Sequence, residues 1–234
     1  MDLNEIQSRY KKYYSKVQYE SKNGLASNLY HRALEKNLIR NHFENVLEVG
    51  AGAGQHLTFV QHEFKNYFLT DLNYPEISPQ TKNQISKLSK EGKNIKIEPQ
   101  NVEKMTYNDS SFDRVITTCV LHHVENPIAA LIELRRVTSN NGVINIYAPS
   151  DPGLLYRFFQ MIISTSSLKK YFSLNEIRFL RASEHRNHIS SISGLIDGIF
   201  GDDAIHVKHF PKFNFGWNTR LFSVYTIQIR KDCA

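Results

Sequence analysis

Three glycines at alternate positions, Gly50, Gly52 and Gly54, follow directly on the apolar run Val46, Leu47 and Val49. Glycine accepts positive φ and lets another group approach the backbone closely. A buried strand that breaks into such a loop, and then into the helical pattern of Gln55–Val60, makes a cradle of backbone N–H groups for a nucleotide-like cofactor. A second apolar run, Tyr67–Thr70, ends in Asp71, 17 residues past Gly54. A carboxylate there can accept hydrogen bonds from two vicinal hydroxyls. Imidazoles gather at His122-His123 and again in Glu184-His185-Arg186-Asn187-His188. Side chains of these types take up protons and hold anions. The loop does not follow the dinucleotide fingerprint, because the sixth position from Gly50 is Gln55, too large to pack helix on strand. No Cys/His spacing matches a zinc site, so no metal is expected.

These groups need elements to position them. The pattern gives strands at Val46–Val49, Tyr67–Asp71, Asn94–Glu98, Phe112–Val120 and Val143–Ala148. Between them it gives a polar helix from Pro79 to Lys90, stopped by Gly92, and a helix starting at Asn126-Pro127 with Ile128, Leu131, Leu134 and Val137 inward. Strand and helix alternate over residues 46–148, which specifies a parallel sheet with right-handed crossovers. Before it lie a helical pattern over residues 3–22 and a helix from about Ser27 to Arg40, separated by Gly24. After it come the apolar stretch Leu154–Ser164, a capping box at Ser173-x-x-Glu176, and a helix over His188–Phe200. Two strands, Ala204–His209 and Leu221–Arg230, close the chain. The joining loop is expected to fold Trp217, with Phe213 and Phe215, onto the core.

In Glu48-x-Gly50-x-Gly52-x-Gly54 the chain resembles the first motif of the class I S-adenosylmethionine (SAM) methyltransferases. Gln100–Met105 followed by Asn108–Asp113 is similar to that family's adenine-contacting segment, with Asn101 where the family has Asp. Thr117–Val124, with Leu121-His122-His123, resembles the segment after β4 in its small-molecule and quinone-methylating subgroup. The resemblance covers residues 46–148 and implies a Rossmann-like α/β fold, with a seven-stranded sheet sandwiched by helices and a last strand that runs antiparallel. The N-terminal helices and a helical insertion after β5 would cap the site. It implies SAM as methyl donor and S-adenosylhomocysteine (SAH) as product. The cofactor-binding set it implies is Glu48, Gly50, Ala51, Gly52, Gly54, His56, Asp71, Leu72, Asn101, Val102, Glu103, Thr118 and Cys119.

Methyl transfer is an in-line displacement at a carbon on a sulfonium, and holding the reactants in line supplies much of the rate. An oxygen nucleophile also gains from a group that takes its proton. His185 is the first candidate, with Glu184 or a neighbour to orient it, and His188 and His122 are the others. Tyr13, Tyr14, His123 and Arg186 are the substrate-side candidates. Core packing against the sheet edge is the alternative for the tyrosines of the first helix. The acceptor expected is small and anionic, a sugar or sugar-phosphate oxygen of the kind modified in bacterial surface-glycan pathways. A quinone- or lipid-type acceptor is the alternative, as is a SAM-binding regulator without activity.

Composition sets the outer limits. The chain has 234 residues, 41% hydrophobic and 22% charged, enough for one domain with a sizeable core. It divides into a helical cap (1–44), a SAM-binding core (45–150), a substrate cap and helix (151–200) and the final strands (201–234). The formal charge is +6. By count the three stretches 1–45, 46–150 and 151–234 carry +3, −1 and +4, so the flanks are basic and suit anionic partners. Basic residues do not cluster with aromatics, which argues against nucleic acid. A polar start, two separated cysteines and no spanning run point to the cytoplasm, with peripheral membrane contact left open.

Overall fold

A computed structural model describes residues 5–6, 8–10, 13, 23–36, 38, 41–212 and 215–231. The strands are β1 (His42–Val49), β2 (Glu63–Asp71), β3 (Asn94–Pro99), β4 (Phe112–Thr118), β5 (Thr138–Pro149), β6 (Ala204–Phe210) and β7 (Phe222–Gln228). They form one sheet in the order β3-β2-β1-β4-β5-β7-β6, parallel except for β7, which runs antiparallel to both its neighbours. The expected seven-stranded α/β sandwich is therefore the fold. The helices are α1 (Asn23–Glu35), α2 (Pro79–Lys90), α3 (Pro127–Val137), α4 (Leu154–Phe159), α5 (Thr165–Leu168), α6 (Leu174–Glu184) and α7 (Ile189–Ile199). Local chemistry sets their ends. Ser78 and Asn126 cap α2 and α3 ahead of a proline in the first turn, and Ser173 with Glu176 forms the capping box of α6.

Strand alternation splits the core. Leu47, Val49, Val115, Ile144 and Ile146 face α3 and α7, whereas Val46, Leu69 and Ile116 face the side of α2. Several boundaries differ from the sequence reading. Gly24 lies inside α1 and does not separate two helices, since a first-turn position tolerates it. Gln55–Phe59 is a single 3-10 turn, so the glycine loop feeds no long helix. Ile128 is exposed, and Ala130 takes the inward position on α3. Phe215 is almost fully exposed and Trp217 partly so, so the last loop does not fold onto the core as expected. Phe213, Tyr14, Tyr19 and Cys233 lie outside the described residues. Tyr10 and Tyr13 pack on Phe172 and Tyr171 ahead of α6, and not on the sheet edge.

The α1 side of the sheet hides a polar network. Glu35 of α1 accepts from Arg114 of β4 at 2.6 Å and bonds His56 at 3.0 Å, and His56 contacts His31. Burial alone would raise the Glu35 pKa, but Arg114 and His56 more than offset it and hold the carboxyl well below its ordinary range. His62 Nε2 sits 3.9 Å from the same carboxylate. Burial, reinforced by Arg114, lowers the His62 pKa from 6.5 to about 4. Between those pH values the unfolded chain binds a proton that the folded chain refuses. The stability from neutral His62 is thus complete above pH 6.5 and declines as pH falls toward 4, by about 3 kcal/mol in all. Urea titrations between pH 7 and pH 4 should show this decline, and His62→Gln should make it shallower. An equal slope in the variant would assign the effect elsewhere.

Candidate active site

The residues singled out in the sequence come together at one edge of the sheet. The register pairs Val49 with Thr70 and Thr117, and Asp71 with Pro99, so β1, β2, β3 and β4 end side by side. Their following loops carry Gly50–Gly54, Leu72, Asn101–Glu103 and Cys119. In an α/β sheet this edge is where ligands bind. Gly50, Gly52 and Gly54 all have positive φ (68°, 53° and 70°). Asp71 Oδ2 accepts from Gly52 N at 2.9 Å and Oδ1 from Leu72 N at 2.7 Å. The carboxylate is fixed by two backbone donors, yet each oxygen keeps lone-pair capacity for a hydroxyl. Asn101 Oδ1 accepts from Glu103 N and likewise keeps capacity for a donor. The donor set and the fixed loop fit a nucleoside cofactor.

Other members of that set serve the fold. Glu48 shares the strand face of Val46, is buried, and accepts from Tyr67 Oη at 2.7 Å, so its side chain points under the sheet. His56 is buried in the Glu35 network. Val102 belongs to the core, and Glu103 Oε1 accepts from Glu125 N and Asn126 N ahead of α3. Thr118 is buried. Cys119 turns the chain at φ 59°, and burial pushes its thiol up to about 12, which leaves it protonated.

Beyond β4, Val120–His123 closes a turn through His123 N to Val120 O at 2.8 Å. The loop between α6 and α7 is tied to this turn. Arg186 N and Asn187 N both donate to His122 O, and Asn187 Nδ2 donates to Leu121 O and Val124 O. That connection brings His185 beside His122 and His123, with ring centroids 4.6 and 5.3 Å away. His185 Nδ1–H donates to Asp151 Oδ2 at 2.7 Å, and His123 Nδ1–H to Glu184 O at 2.6 Å. Both hydrogen bonds fix a tautomer with a lone pair at Nε2. Asp151, not Glu184, orients His185.

The sequence reading missed Asp151 and Asn187. Asp151 follows the end of β5 just as Asp71 ends β2, so the rule that found one could have found the other. His188 is exposed at the N-cap of α7 and stays apart from the cluster. Arg186 is exposed and pairs with Glu125 at 3.2 Å, near enough to the cluster for its charge to act on His123. Tyr13 stacks on Tyr171 at 4.4 Å, a packing role.

Residues 47–146 match the family model described as a methyltransferase domain. The chain carries a class I SAM-dependent methyltransferase domain. SAM is its methyl donor. No curated protein matches the chain in sequence. Among solved structures, the methyltransferase is similar to the YcgJ protein of Bacillus subtilis at 16% identity and a TM-score of 0.52, over 87% of this chain and 97% of that one. It is similar to an O-methyltransferase family protein of Burkholderia thailandensis at 11% identity and 0.57, over 88% and 57%. A Haloferax volcanii complex with the Trm112 methyltransferase activator gives 12% and 0.58, over 89% and 93%. At these identities the likeness concerns the fold. Among the described residues no helix is long and apolar enough to cross a membrane.

Proposed function

We propose that the methyltransferase methylates an oxygen of a small anionic acceptor, of sugar or sugar-phosphate type, in the cytoplasm. When bound, SAM supplies an electrophilic methyl carbon on a sulfonium. The Gly50–Gly54 loop and Asp71 would hold its amino-acid and ribose portions, with Leu72 and Asn101 lining the rest. The observation that carries the reading is the convergence of His122, His123 and His185 one turn beyond the loop after β4. An acceptor seated there meets the Nε2 lone pair of His185, which Asp151 holds in place, and His185 is the residue through which its oxygen is activated. The basic charge of residues 151–234 supports an anionic acceptor. A second reading rests on the exposed apolar face of Leu154, Phe158, Phe159, Met161 and Ile162, which suits a quinone- or lipid-type acceptor at a membrane surface.

The test is SAH release across sugars, sugar phosphates, quinones and lipids in detergent, with mass spectrometry of the product. Activity on a phosphorylated sugar that falls with salt is the expected result. A requirement for detergent would favour the second reading, and SAM binding without SAH release on any acceptor would leave a binding protein. His185→Ala should lower turnover on the identified acceptor by roughly 10²–10⁴-fold while SAM affinity stays within about twofold. Unchanged turnover would remove His185 from the mechanism.

A further inference from the structure

The three imidazoles are better ordered than one proton-handling side chain requires. One ring nitrogen from each of His122, His123 and His185 lies within 4.8 Å of those of the other two. Two of the rings are braced from outside, His185 by the Asp151 carboxylate and His123 by the Glu184 carbonyl. The third, His122, is 4% exposed, and its ring makes no hydrogen bond to any described residue. We propose that His122, His123 and His185 form a binding site for one divalent cation of the zinc class, resting on the reading of this cluster as the acceptor end of the site.

Each observation matches a requirement of such a site. Metal-bound histidines almost always donate their second ring N–H to a carboxylate or a backbone carbonyl, which fixes the tautomer and aims the free nitrogen. Asp151 and Glu184 provide one of each. Among the described residues no fourth ligand joins the three histidines, which leaves an open position, the pattern of catalytic rather than structural zinc. Zinc–nitrogen bonds of about 2.0–2.1 Å place tetrahedral ligands roughly 3.3 Å apart, so the rings need close by no more than about 1.5 Å. A cation there would be the group that acidifies an acceptor hydroxyl, and His185 would act as its ligand.

Zn²⁺ binding to the full chain, dialysed against chelator, can be measured by competition with a chromophoric chelator. Co²⁺ in place of Zn²⁺ reports geometry by its visible spectrum. One equivalent bound with Kd below about 1 μM, and a tetrahedral Co²⁺ spectrum, are expected. His123 and His185 are partly exposed and carry the test, since replacing buried His122 endangers folding. His123→Ala and His185→Ala should each weaken Zn²⁺ binding by at least roughly 100-fold, and Asp151→Asn by about 10–100-fold. Absence of a stoichiometric site, or binding unchanged in both alanine variants, would overturn the proposal. SAM affinity measured on the same samples is independent: its absence would count against the cofactor assignment and leave the cation result standing.

Discussion

Replacing Arg114 with methionine should destabilise the protein by roughly 3–5 kcal/mol, the largest single loss expected outside the site. Arg114 is completely buried in β4, where its Nη2 donates to Glu35 at 2.6 Å and its Nε to Asn145 Oδ1 at 2.8 Å. The guanidinium also lies 5.9 Å from the Phe43 ring centroid. Methionine fills much of the volume but leaves the Glu35 carboxylate buried with the imidazoles of His56 and His62, and no permanent cation, beside it among the described residues. The cost is therefore that of an uncompensated charge, more than that of a missing contact. For a chain of this size the melting temperature should fall by on the order of 10 °C. The double variant Arg114→Met/Glu35→Leu should recover most of the loss, because a buried ion pair exchanged whole for apolar groups is often neutral. Urea unfolding of the two variants decides the matter. If the single variant lost under about 1 kcal/mol, the pair would contribute little to folding.

This network marks where the sequence ceased to be readable. Strand periodicity gives Val46, Leu47 and Val49 as buried, and it equally turns Glu48 to the face opposite the core of α3 and α7. The glycine-loop motif instead suggested that Glu48 faces the cofactor. Motif and periodicity disagreed, and periodicity decided, because Tyr67 on the neighbouring strand offers a buried donor at 2.7 Å. His56 went the same way: its place after the loop suggested a ligand, but its partners His31 and Glu35 come from a helix more than 20 residues earlier. Elements whose ends are set locally were legible, as at Pro79–Lys90 with its Ser78 cap and Gly92 stop. The cofactor edge was legible too, since parallel strands must end side by side. The imidazole cluster was not. His122 and His123 lie about sixty residues from His185 in the chain. The hydrogen bonds from Arg186 and Asn187 to the turn after β4, and from His123 to Glu184 O, bring them together, and no spacing rule encodes a contact made through backbone carbonyls.

Gly50→Ala should weaken SAM binding by at least about 30-fold, near 2 kcal/mol, and lower turnover with it. Gly50 has φ 68°, a left-handed conformation that costs an L residue about 1–2 kcal/mol. A Cβ there would also stand 2.1 Å from Val120 Cγ2. Val120 cannot retreat freely, because its carbonyl closes the turn that carries His122 and His123. The added methyl group would thus displace both the glycine loop and the imidazoles, the two halves of the site. The contributions can be separated. Val120→Ala in the same chain removes the colliding methyl and leaves the Val120 Cβ position, 3.4 Å away, as the nearest contact. That double variant should regain all but the conformational cost of about 1–2 kcal/mol. Gly92 is the control: its φ is 82°, nothing lies within 4 Å of the point a Cβ would occupy, and it closes α2 away from the loop. Gly92→Ala should lower stability by about 1 kcal/mol and leave SAM affinity unchanged. Calorimetric SAM titrations of the three variants test the assignment, and a Gly50→Ala protein that bound SAM as tightly as the parent would place the cofactor elsewhere on the sheet.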